Sequence, residues 1–393
     1  MRRASLALAL LAACGGPADS DAGLDTPTAD APSLDAPTTP HLDAPGTDAP
    51  APPAEGVPLF VAIGKFGRIT SSCDDGRSWG FDRSDDDLAS CLGIDCDHHP
   101  GSSTGLTFGG GFFFASFGWG DHPARVFRSA NGQDWELAYD QRGFSLAGLA
   151  WAEDRLVAGD PTPRYSLDAR SAPALTFLEG AWPPYEIPEG AWPNTRTVAW
   201  APHGGGRIAI VAAAGDMSFS DTVISSDGGL TFEHPADFPD ACVGHGPRMA
   251  YGNGAWVQSW STSGVVCTSL DGGNTFTATD LGDGRASGPI FHDGRFLLYV
   301  GRRGFRSVDG LGWTSFDVDV DVGAVAASPE TGTIIALDGE SWGRPYAEQR
   351  LYRSTDGGET FELLGATAFV HGHPLTHVVF GRGAASAACP AEG

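Results

Sequence analysis

Seven short segments of this 393-residue chain carry the same arrangement of side chains, and this repeat restricts the fold more than any other sequence feature. Four of them place an aspartate two residues after a serine, then a glycine and an aromatic residue: Ser72-Asp74-Gly76-Trp79, Ser225-Asp227-Gly229-Phe232, Ser269-Asp271-Gly273-Phe276 and Ser354-Asp356-Gly358-Phe361. Two are one residue shorter, Ser129-Asn131-Gly132-Trp135 and Ser307-Asp309-Gly310-Trp313, and Tyr165-Ser166-Leu167-Asp168 keeps only the first half. A chain that repeats one local signal in this way is expected to fold as an array of similar units.

The repeat has the chemistry of a β-hairpin turn. A short carboxylate can accept hydrogen bonds from nearby backbone N–H groups, and glycine readily adopts the positive φ that tight turns require. The aromatic residue then begins the returning strand. Alternating apolar runs of strand length come before the repeats, as in 287–292 and 296–301 before Ser307. Each repeat therefore predicts four antiparallel strands, and the repeats recur at an average spacing of roughly 40 to 50 residues.

The motif resembles the Asp-box, or BNR repeat, of sialidases and related β-propellers, and each copy is termed an Asp-box. The resemblance implies an all-β fold, a seven-bladed β-propeller of four-stranded antiparallel blades over residues 58–393. It also implies a structural role for the motif position, which is occupied by Asp74, Asn131, Asp168, Asp227, Asp271, Asp309 and Asp356. The motif therefore supports a fold and says little about an activity.

The two ends of the repeat array are incomplete in a complementary way. The first Asp-box has only the runs 59–64 and 68–71 before it, so its innermost strand is missing. The run 375–381 has the pattern of an innermost strand but no blade of its own. We therefore expect this C-terminal strand to complete blade one beside 59–64 and close the ring, which removes open strand edges.

The amino-terminal segment carries an export signal. Arg2 and Arg3 precede the apolar run 4–11, which is too short to cross a bilayer as a mature helix. The sequence Leu11-Ala12-Ala13-Cys14-Gly15 resembles the lipobox of bacterial lipoproteins, which implies that residues 1–13 are a signal peptide and that Cys14 is lipidated. The alternative is an ordinary cleaved signal with an incidental cysteine. The lipobox reading predicts a protein anchored to a membrane of the bacterial cell envelope, outside the cytoplasm.

Residues 14–57 have the composition of a stalk. After Cys14 this segment contains nine Pro and seven Asp and no Lys, Arg or aromatic residue, so it cannot build a hydrophobic core. Proline favours polyproline II and the aspartates repel one another. We therefore predict a disordered, semi-rigid linker between the anchor and the propeller.

The remaining six cysteines suggest disulfides, because an exported chain meets an oxidising environment. Cys91 and Cys96 share one loop. The predicted topology places Cys242 near Cys267, and Cys73 near Cys389. The last of these pairs would lock the ring shut. Free buried thiols are the alternative.

Charge and composition exclude several classes of partner. The formal charge of −25 repels phosphate backbones, so we expect no nucleic-acid partner, and we expect a monomer. An acidic loop (Asp85, Asp86, Asp87, Asp95, Asp97, His98, His99) could hold Ca²⁺, and His371, His373 and His377 could hold Zn²⁺. Neither set has a diagnostic ligand spacing, so the sequence predicts no metal site and no cofactor, with Ca²⁺ as the alternative.

The candidate ligand-binding residues lie in loops on the face opposite the Asp-boxes. They are Trp182 and Trp192, from a duplicated Glu-Gly-Ala-Trp-Pro segment, and Trp342, Arg344 and Tyr346 from a later loop. Flat rings beside charged groups suit stacking and hydrogen bonding to a glycan or a peptide. The alternative is that the Trp-Pro pairs cap the core.

The sequence thus predicts a non-enzymatic binding or scaffold module for glycan or protein ligands, with no catalytic residues assigned. The competing hypothesis is a glycoside hydrolase of sialidase-like, exo-α-sialidase type. Its nearest motif match is Phe66-Gly67-Arg68-Ile69-Thr70, which lacks the expected proline, and Tyr185-Glu186 is a conceivable catalytic pair. Seven-bladed β-glucanases of the xyloglucanase kind comprise two propellers with a cleft between them, whereas these repeats predict one.

The lipobox can be tested by Cys14→Ser. This variant should leave membranes and stay folded, because the anchor and the propeller are separated by the stalk. Fractionation with a carbonate wash, compared with the unmodified chain, measures the change. A variant that still sediments with membranes would contradict lipidation at Cys14.

Overall fold

The computed structural model describes residues 56–83, 103–118, 123–141, 146, 148–152, 154–159, 164–170, 175–179, 197–200, 208–213, 220–242, 244, 247–339, 350–364 and 375–390. This part of the chain is built from β-strands and contains no α-helix, apart from a single 3-10 turn at Lys65–Gly67. No helix within it is long and apolar enough to span a membrane.

The strands follow one another in short antiparallel runs. The first fourteen are β1 (Val57–Gly64), β2 (Ile69–Ser72), β3 (Gly80–Arg83), β4 (Ser103–Gly109), β5 (Phe112–Phe117), β6 (Ala124–Ser129), β7 (Glu136–Gln141), β8 (Leu149–Ala152), β9 (Arg155–Ala158), β10 (Arg164–Ser166), β11 (Leu178–Glu179), β12 (Thr197–Trp200), β13 (Ile208–Ala213) and β14 (Ser220–Ser225). The others are β15 (Pro247–Gly252), β16 (Ala255–Trp260), β17 (Val265–Ser269), β18 (Thr277–Asp280), β19 (Ile290–His292), β20 (Arg295–Val300), β21 (Arg303–Ser307), β22 (Thr314–Asp317), β23 (Val322–Ala327), β24 (Ile334–Asp338), β25 (Leu351–Ser354), β26 (Glu362–Leu364) and β27 (Leu375–Gly383).

These strands form the blades of a β-propeller. Six sheets have four strands each, in the orders β27-β1-β2-β3, β4-β5-β6-β7, β8-β9-β10-β11, β15-β16-β17-β18, β19-β20-β21-β22 and β23-β24-β25-β26. The innermost strands contact one another in the order β27, β4, β8, β12, β15, β19 and β23, and β23 contacts β27 again. The ring is therefore closed, and its hydrophobic core lies between neighbouring sheets.

The prediction of seven four-stranded blades is wrong. The strands β12, β13 and β14 form a sheet of three, and an outer partner of β14 is reduced to one bridge between Ile224 and Glu233. Pro235 follows two residues later and has no N–H with which to continue a ladder. The chain turns instead to the next blade, where the N–H of Ala236 donates to the carbonyl of Asn274 at 2.7 Å. Within the described residues, the propeller thus has six blades of four strands, with the three-stranded sheet of β12, β13 and β14 completing the ring.

The C-terminal strand closes the ring at the position expected from the sequence. β27 pairs antiparallel with β1, from Val57 opposite Gly383 to Gly64 opposite Leu375. Asp75 links blade one to the blade formed by β23–β26. Its carboxylate accepts hydrogen bonds from Thr331, Thr333 and Arg353 at 2.6 Å each. The two ends of the chain are therefore joined by both backbone pairing and side-chain contacts.

Two of the three candidate disulfides are present in the described part of the chain. Cys73 is bonded to Cys389 across 316 residues, with Cα atoms 5.8 Å apart. Cys242 is bonded to Cys267 across 25 residues, with Cα atoms 6.0 Å apart. The first ties the turn of blade one to the segment after β27, and the second lies within the core beside β16. Cys91 and Cys96 lie outside the described residues.

The Asp-box turns are held by their own hydrogen bonds. In the turn after β17, the buried Ser269 hydroxyl donates to Asp271 at 2.8 Å and accepts from the N–H of Gly273 at 2.8 Å. The N–H and hydroxyl of Thr275 donate to the same carboxylate at 2.9 and 2.7 Å, and they lower the pKa of Asp271 to about 2. Gly273 has φ of +100°, which favours glycine. The serine, acid and glycine of the motif are thus all used by the turn.

The Asn131 turn shows that this network depends on matched donors and acceptors. Asn131 accepts from the N–H groups of Gln133 and Asp134 through its Oδ1, as the aspartates do elsewhere. Its amide nitrogen, however, is a donor. In the turn after β17 the last contact is the hydroxyl of Thr275 donating to Asp271. In the Asn131 turn its place is taken by Asp134, whose carboxylate accepts from the Asn131 amide at 2.9 Å. The motif residue therefore donates this hydrogen bond instead of accepting it, and the turn keeps its conformation.

The long-range disulfide should stabilise the ring more than the local one. In the chain-entropy picture the stabilisation grows with loop length, and the difference between the two loops amounts to roughly 2 kcal/mol. The double variant Cys73→Ala/Cys389→Ala should therefore lower the free energy of unfolding more than Cys242→Ala/Cys267→Ala does. Urea titration of both variants in the Cys14→Ser background would measure this. Equal losses, or a larger loss from the local pair, would contradict it.

Candidate functional site

The ligand-binding residues predicted from the sequence fall outside the part of the chain that the structure describes. This applies to Trp182, Trp192, Trp342, Arg344 and Tyr346, and also to the lipidation site Cys14. The acidic loop 85–99 and His371 and His373 likewise fall outside it. Their roles remain predictions, and the candidate site described below consists of other residues.

Propeller geometry gathers the first residues of the innermost strands at one end of the central channel. Ser103 begins β4, Arg248 is the second residue of β15, and Thr376 and His377 lie near the start of β27. The Asp-box turns follow the third strand of each blade, so they lie at the opposite end of the ring. The four side chains therefore share the loop face on which the sequence predicts ligand binding, and we call them the channel-entrance cluster.

Arg248 connects several strands across the channel. Its Nη1 donates to the carbonyl of Ser287, just before β19, at 2.9 Å and to the carbonyl of Gly323 on β23 at 3.3 Å. Its Nη2 donates to the carbonyl of Thr376 on β27 at 3.5 Å. Gly288 makes room for this side chain, because a Cβ there would come within 2.5 Å of the Arg248 Cδ. The backbone of several blades thus forms a cradle for one guanidinium.

The cradle leaves one edge of the guanidinium available. The Nε–H and one N–H of Nη2 have no acceptor among the described residues, and no described carboxylate forms an ion pair with Arg248. Desolvation lowers the pKa of Arg248 to about 10, so the group stays cationic at neutral pH. The Nε–Nη2 edge is the fork that binds a carboxylate or phosphate through two parallel hydrogen bonds. The arrangement is therefore suited to an anionic group.

The other members of the cluster are neutral and hydrogen-bonded to one another. The Thr376 hydroxyl lies 2.8 Å from His377 Nδ1 and 2.5 Å from the Ser103 hydroxyl. Burial, assisted by the charge of Arg248, lowers the pKa of His377 to about 3. The imidazole is therefore uncharged at neutral pH, and Arg248 carries the positive charge of the cluster. Hydroxyl and imidazole groups can add neutral hydrogen bonds around a ligand.

Sequence reasoning missed Arg248. The available signal was a single arginine near the start of an otherwise apolar innermost strand, Pro247-Arg248-Met249-Ala250. Sequence reasoning considered His377 only as a metal ligand with His371 and His373. No group of three or more His, Cys, Asp or Glu residues in the described ranges is placed to hold a metal ion.

Known structures share the propeller fold. No protein-family model matches the chain, and no curated protein matches it in sequence. A GH74 xyloglucanase from Xanthomonas campestris is similar in structure with a TM-score of 0.53 and 17% identity, covering 84% of this chain and 53% of that chain. A Bacteroides fragilis protein provisionally assigned as a 6-phosphogluconolactonase has a TM-score of 0.54 and 8% identity, covering 84% of this chain and 99% of that chain.

YCF48 from Cyanidioschyzon merolae gives a TM-score of 0.43 with 13% identity, over 68% of this chain and 85% of that chain. At these identities, similarity to solved structures shows the fold alone. The chain spans about half the length of the xyloglucanase that it matches. The activities named for these proteins are therefore not transferred to it.

The low pKa of His377 makes a prediction about acid stability. The unfolded chain binds a proton on this histidine near pH 6.5, whereas the folded chain does so only near pH 3. The stability linked to His377 is thus present above pH 6.5 and is lost as the pH falls toward 3, by about 1.4 kcal/mol per pH unit. His377→Gln should flatten the pH dependence of the unfolding free energy between pH 6 and pH 4.

Denaturant titrations across this pH range measure the slope, and NMR titration of the imidazole measures the pKa directly. Arg248→Met removes the neighbouring charge and should raise the pKa of His377 while leaving it below 6.5, because desolvation is the larger cause. An imidazole that titrates near its ordinary pKa would contradict the desolvation of His377 at the channel entrance.

Proposed function

We propose that the chain is a non-enzymatic binding module that holds an anionic group of a glycan or protein ligand on Arg248, at the channel entrance of the loop face. The observation that carries this proposal is the guanidinium held by backbone carbonyls, with its Nε–Nη2 edge left without a described partner.

The energetics favour an anionic ligand. Arg248 is partly buried, and a guanidinium shielded from water without a counter-charge among the described residues is costly, since carbonyl dipoles offset only part of that cost. Ligand binding would supply the missing charge and two charge-assisted hydrogen bonds. The propeller is otherwise acidic, with a formal charge of −25 for the whole chain, so recognition would depend on short-range contacts at Arg248 rather than on long-range attraction.

The chemistry of the entrance favours binding over hydrolysis. His377 has a low pKa and is therefore a weak general base at neutral pH. Arg68, the residue of the sialidase-like motif match, forms an ion pair with Asp82 at 3.0 Å between the third and fourth strands of its blade. This pairing places Arg68 away from the innermost strands, so it does not join Arg248 at the channel entrance.

We further propose that the protein acts at the bacterial cell envelope. The support is the sequence Leu11-Ala12-Ala13-Cys14-Gly15 followed by the acidic, proline-rich segment. A lipid on Cys14 would anchor the chain to a membrane, and the stalk would allow the loop face to reach ligands at a distance from it.

Binding screens with matched probes test this function. The Cys14→Ser chain would be applied to arrays of uronic-acid and sialic-acid glycans with their neutral counterparts, and of peptides with free or amidated C-termini. Carboxylate-bearing probes should be retained. Arg248→Leu should weaken their binding by at least about thirtyfold, because truncating a buried charge pair costs about 2 kcal/mol or more.

Arg303→Leu is the matched control, since Arg303 is an exposed arginine at the start of β21 on the same face. It should bind like the unmodified chain. The proposed site would be contradicted if neutral probes bound as well as carboxylate-bearing ones, or if Arg248→Leu bound them like the unmodified chain. Hydrolysis of a fluorogenic sialoside would favour the enzymatic alternative instead.

A further inference from the structure

A cleft on the Asp-box face lies beside the second blade, at the end of the ring opposite Arg248. It has a volume of about 310 Å³ and is lined by Phe112, Arg128, Ser129, Ala130, Asp134, Trp135 and Glu136. A volume near 300 Å³ is at the lower end of the range for small-molecule sites. Most of its lining comes from a single Asp-box turn and the strand that follows it.

Trp135 presents a ring to this cleft because its Asp-box is one residue short. In the longer turns the aromatic residue is buried, as for Trp79, at 6% exposure. Trp135 is partly exposed, although its Nε1 still donates to the carbonyl of Gly132 at 3.1 Å. The indole packs against the core cluster that includes Phe113. The ring is thus fixed in position and oriented, with part of its surface available for stacking.

Two exposed carboxylates border the same cleft. Asp134 uses one oxygen to accept from the Asn131 amide, and Glu136 uses one oxygen to accept from Arg128. The second oxygen of each carboxylate has no hydrogen-bond donor among the described residues. These two oxygens can accept hydrogen bonds from ligand hydroxyl groups beside the indole.

The basic group of the cleft is already occupied. Arg128 donates to Glu136 through Nε, at 2.8 Å, and through Nη2, and it donates to the carbonyl of Ala169 through Nη1 at 2.6 Å. Its guanidinium also lies over the Phe112 ring, 5.2 Å from the centroid. The charge of Arg128 is therefore neutralised, and Asp134 adds a negative charge at the rim. An anionic ligand is disfavoured here, in contrast to the channel entrance.

We propose that this cleft is a binding site for an uncharged sugar unit of a glycan. The indole face of Trp135 stacks on the C–H face of the sugar ring, and the free oxygens of Asp134 and Glu136 accept hydrogen bonds from its hydroxyl groups. The site is separate from Arg248 and does not depend on the function proposed for the channel entrance.

Isothermal titration calorimetry with neutral tetrasaccharides tests the proposal. The probes are maltotetraose, cellotetraose and chitotetraose, with tetragalacturonate and tetraglucosamine as anionic and cationic counterparts, applied to the Cys14→Ser chain. At least one neutral probe should bind, and Trp135→Ala should weaken it at least tenfold. Trp135→Phe should bind with intermediate affinity and remain folded, because phenylalanine occupies this position in three other Asp-boxes.

Trp313→Ala is the matched control, since Trp313 lies in the other short Asp-box with the same contact, from Nε1 to the carbonyl of Gly310, at 2.8 Å. It should change affinity less than twofold, as should Arg248→Leu. Three results would overturn the site: no neutral probe binds at millimolar concentration, only a charged probe binds, or the Trp135 variants bind like the unmodified chain. If Arg248→Leu loses carboxylate binding but keeps its affinity for the neutral tetrasaccharide, the channel entrance and the Trp135 cleft are separate sites.

Discussion

The pairing of β27 with β1 closes the ring of blades. A propeller whose ring is open exposes strand edges and leaves the core between two blades uncovered. Eight residue pairs join the two strands, and the Cys73 to Cys389 disulfide and the contacts of Asp75 reinforce the seam beside them. Because β27 also carries Thr376 and His377, the strand that completes the fold completes the channel entrance as well. Loss of closure would therefore remove stability and the candidate site together.

The two faces of the ring are built on different principles. On one face the Asp-box turns use local hydrogen bonds from serine, threonine and backbone groups to hold their carboxylates. These turns do not need basic partners, which suits a chain with 49 acidic and 24 basic side chains. On the other face no motif recurs from blade to blade as the Asp-box does, and the entrance is built by residues brought together from several strands. A rigid repeated face thus supports a face on which sequence can vary.

Two arginines show how the surroundings of a guanidinium decide which ligand it can attract. Arg128 is bonded to Glu136 through its Nε–Nη2 edge and to a backbone carbonyl through Nη1, so its charge is neutralised and its fork is occupied. Among the described residues, Arg248 is held by carbonyls alone, and one edge of its guanidinium has no partner. An arginine side chain therefore lines one cleft with its charge neutralised, at Arg128, and is a candidate anion receptor at the channel entrance, at Arg248. Composition and net charge do not distinguish these cases, because the difference lies in the nearest few atoms.

Features that depend on local chemistry could be predicted from the amino-acid sequence. The Ser-x-Asp spacing and its glycine specify the turns, and the orphan run 375–381 specified ring closure, because a hairpin turn and a strand are recognisable from neighbouring residues. Other features depend on contacts between parts of the chain that are distant in sequence. Pro235 reduced one outer strand to a single bridge, since whether a ladder continues depends on the partner available beyond the proline. The partial exposure of Trp135 follows from its short Asp-box, but the cleft beside the ring forms only where Phe112 and Arg128 of adjacent strands pack next to that turn. Arg248 became a candidate ligand contact only when strands far apart in the chain met around it, because an isolated arginine carries no local sign of which of its donors will be left without a partner.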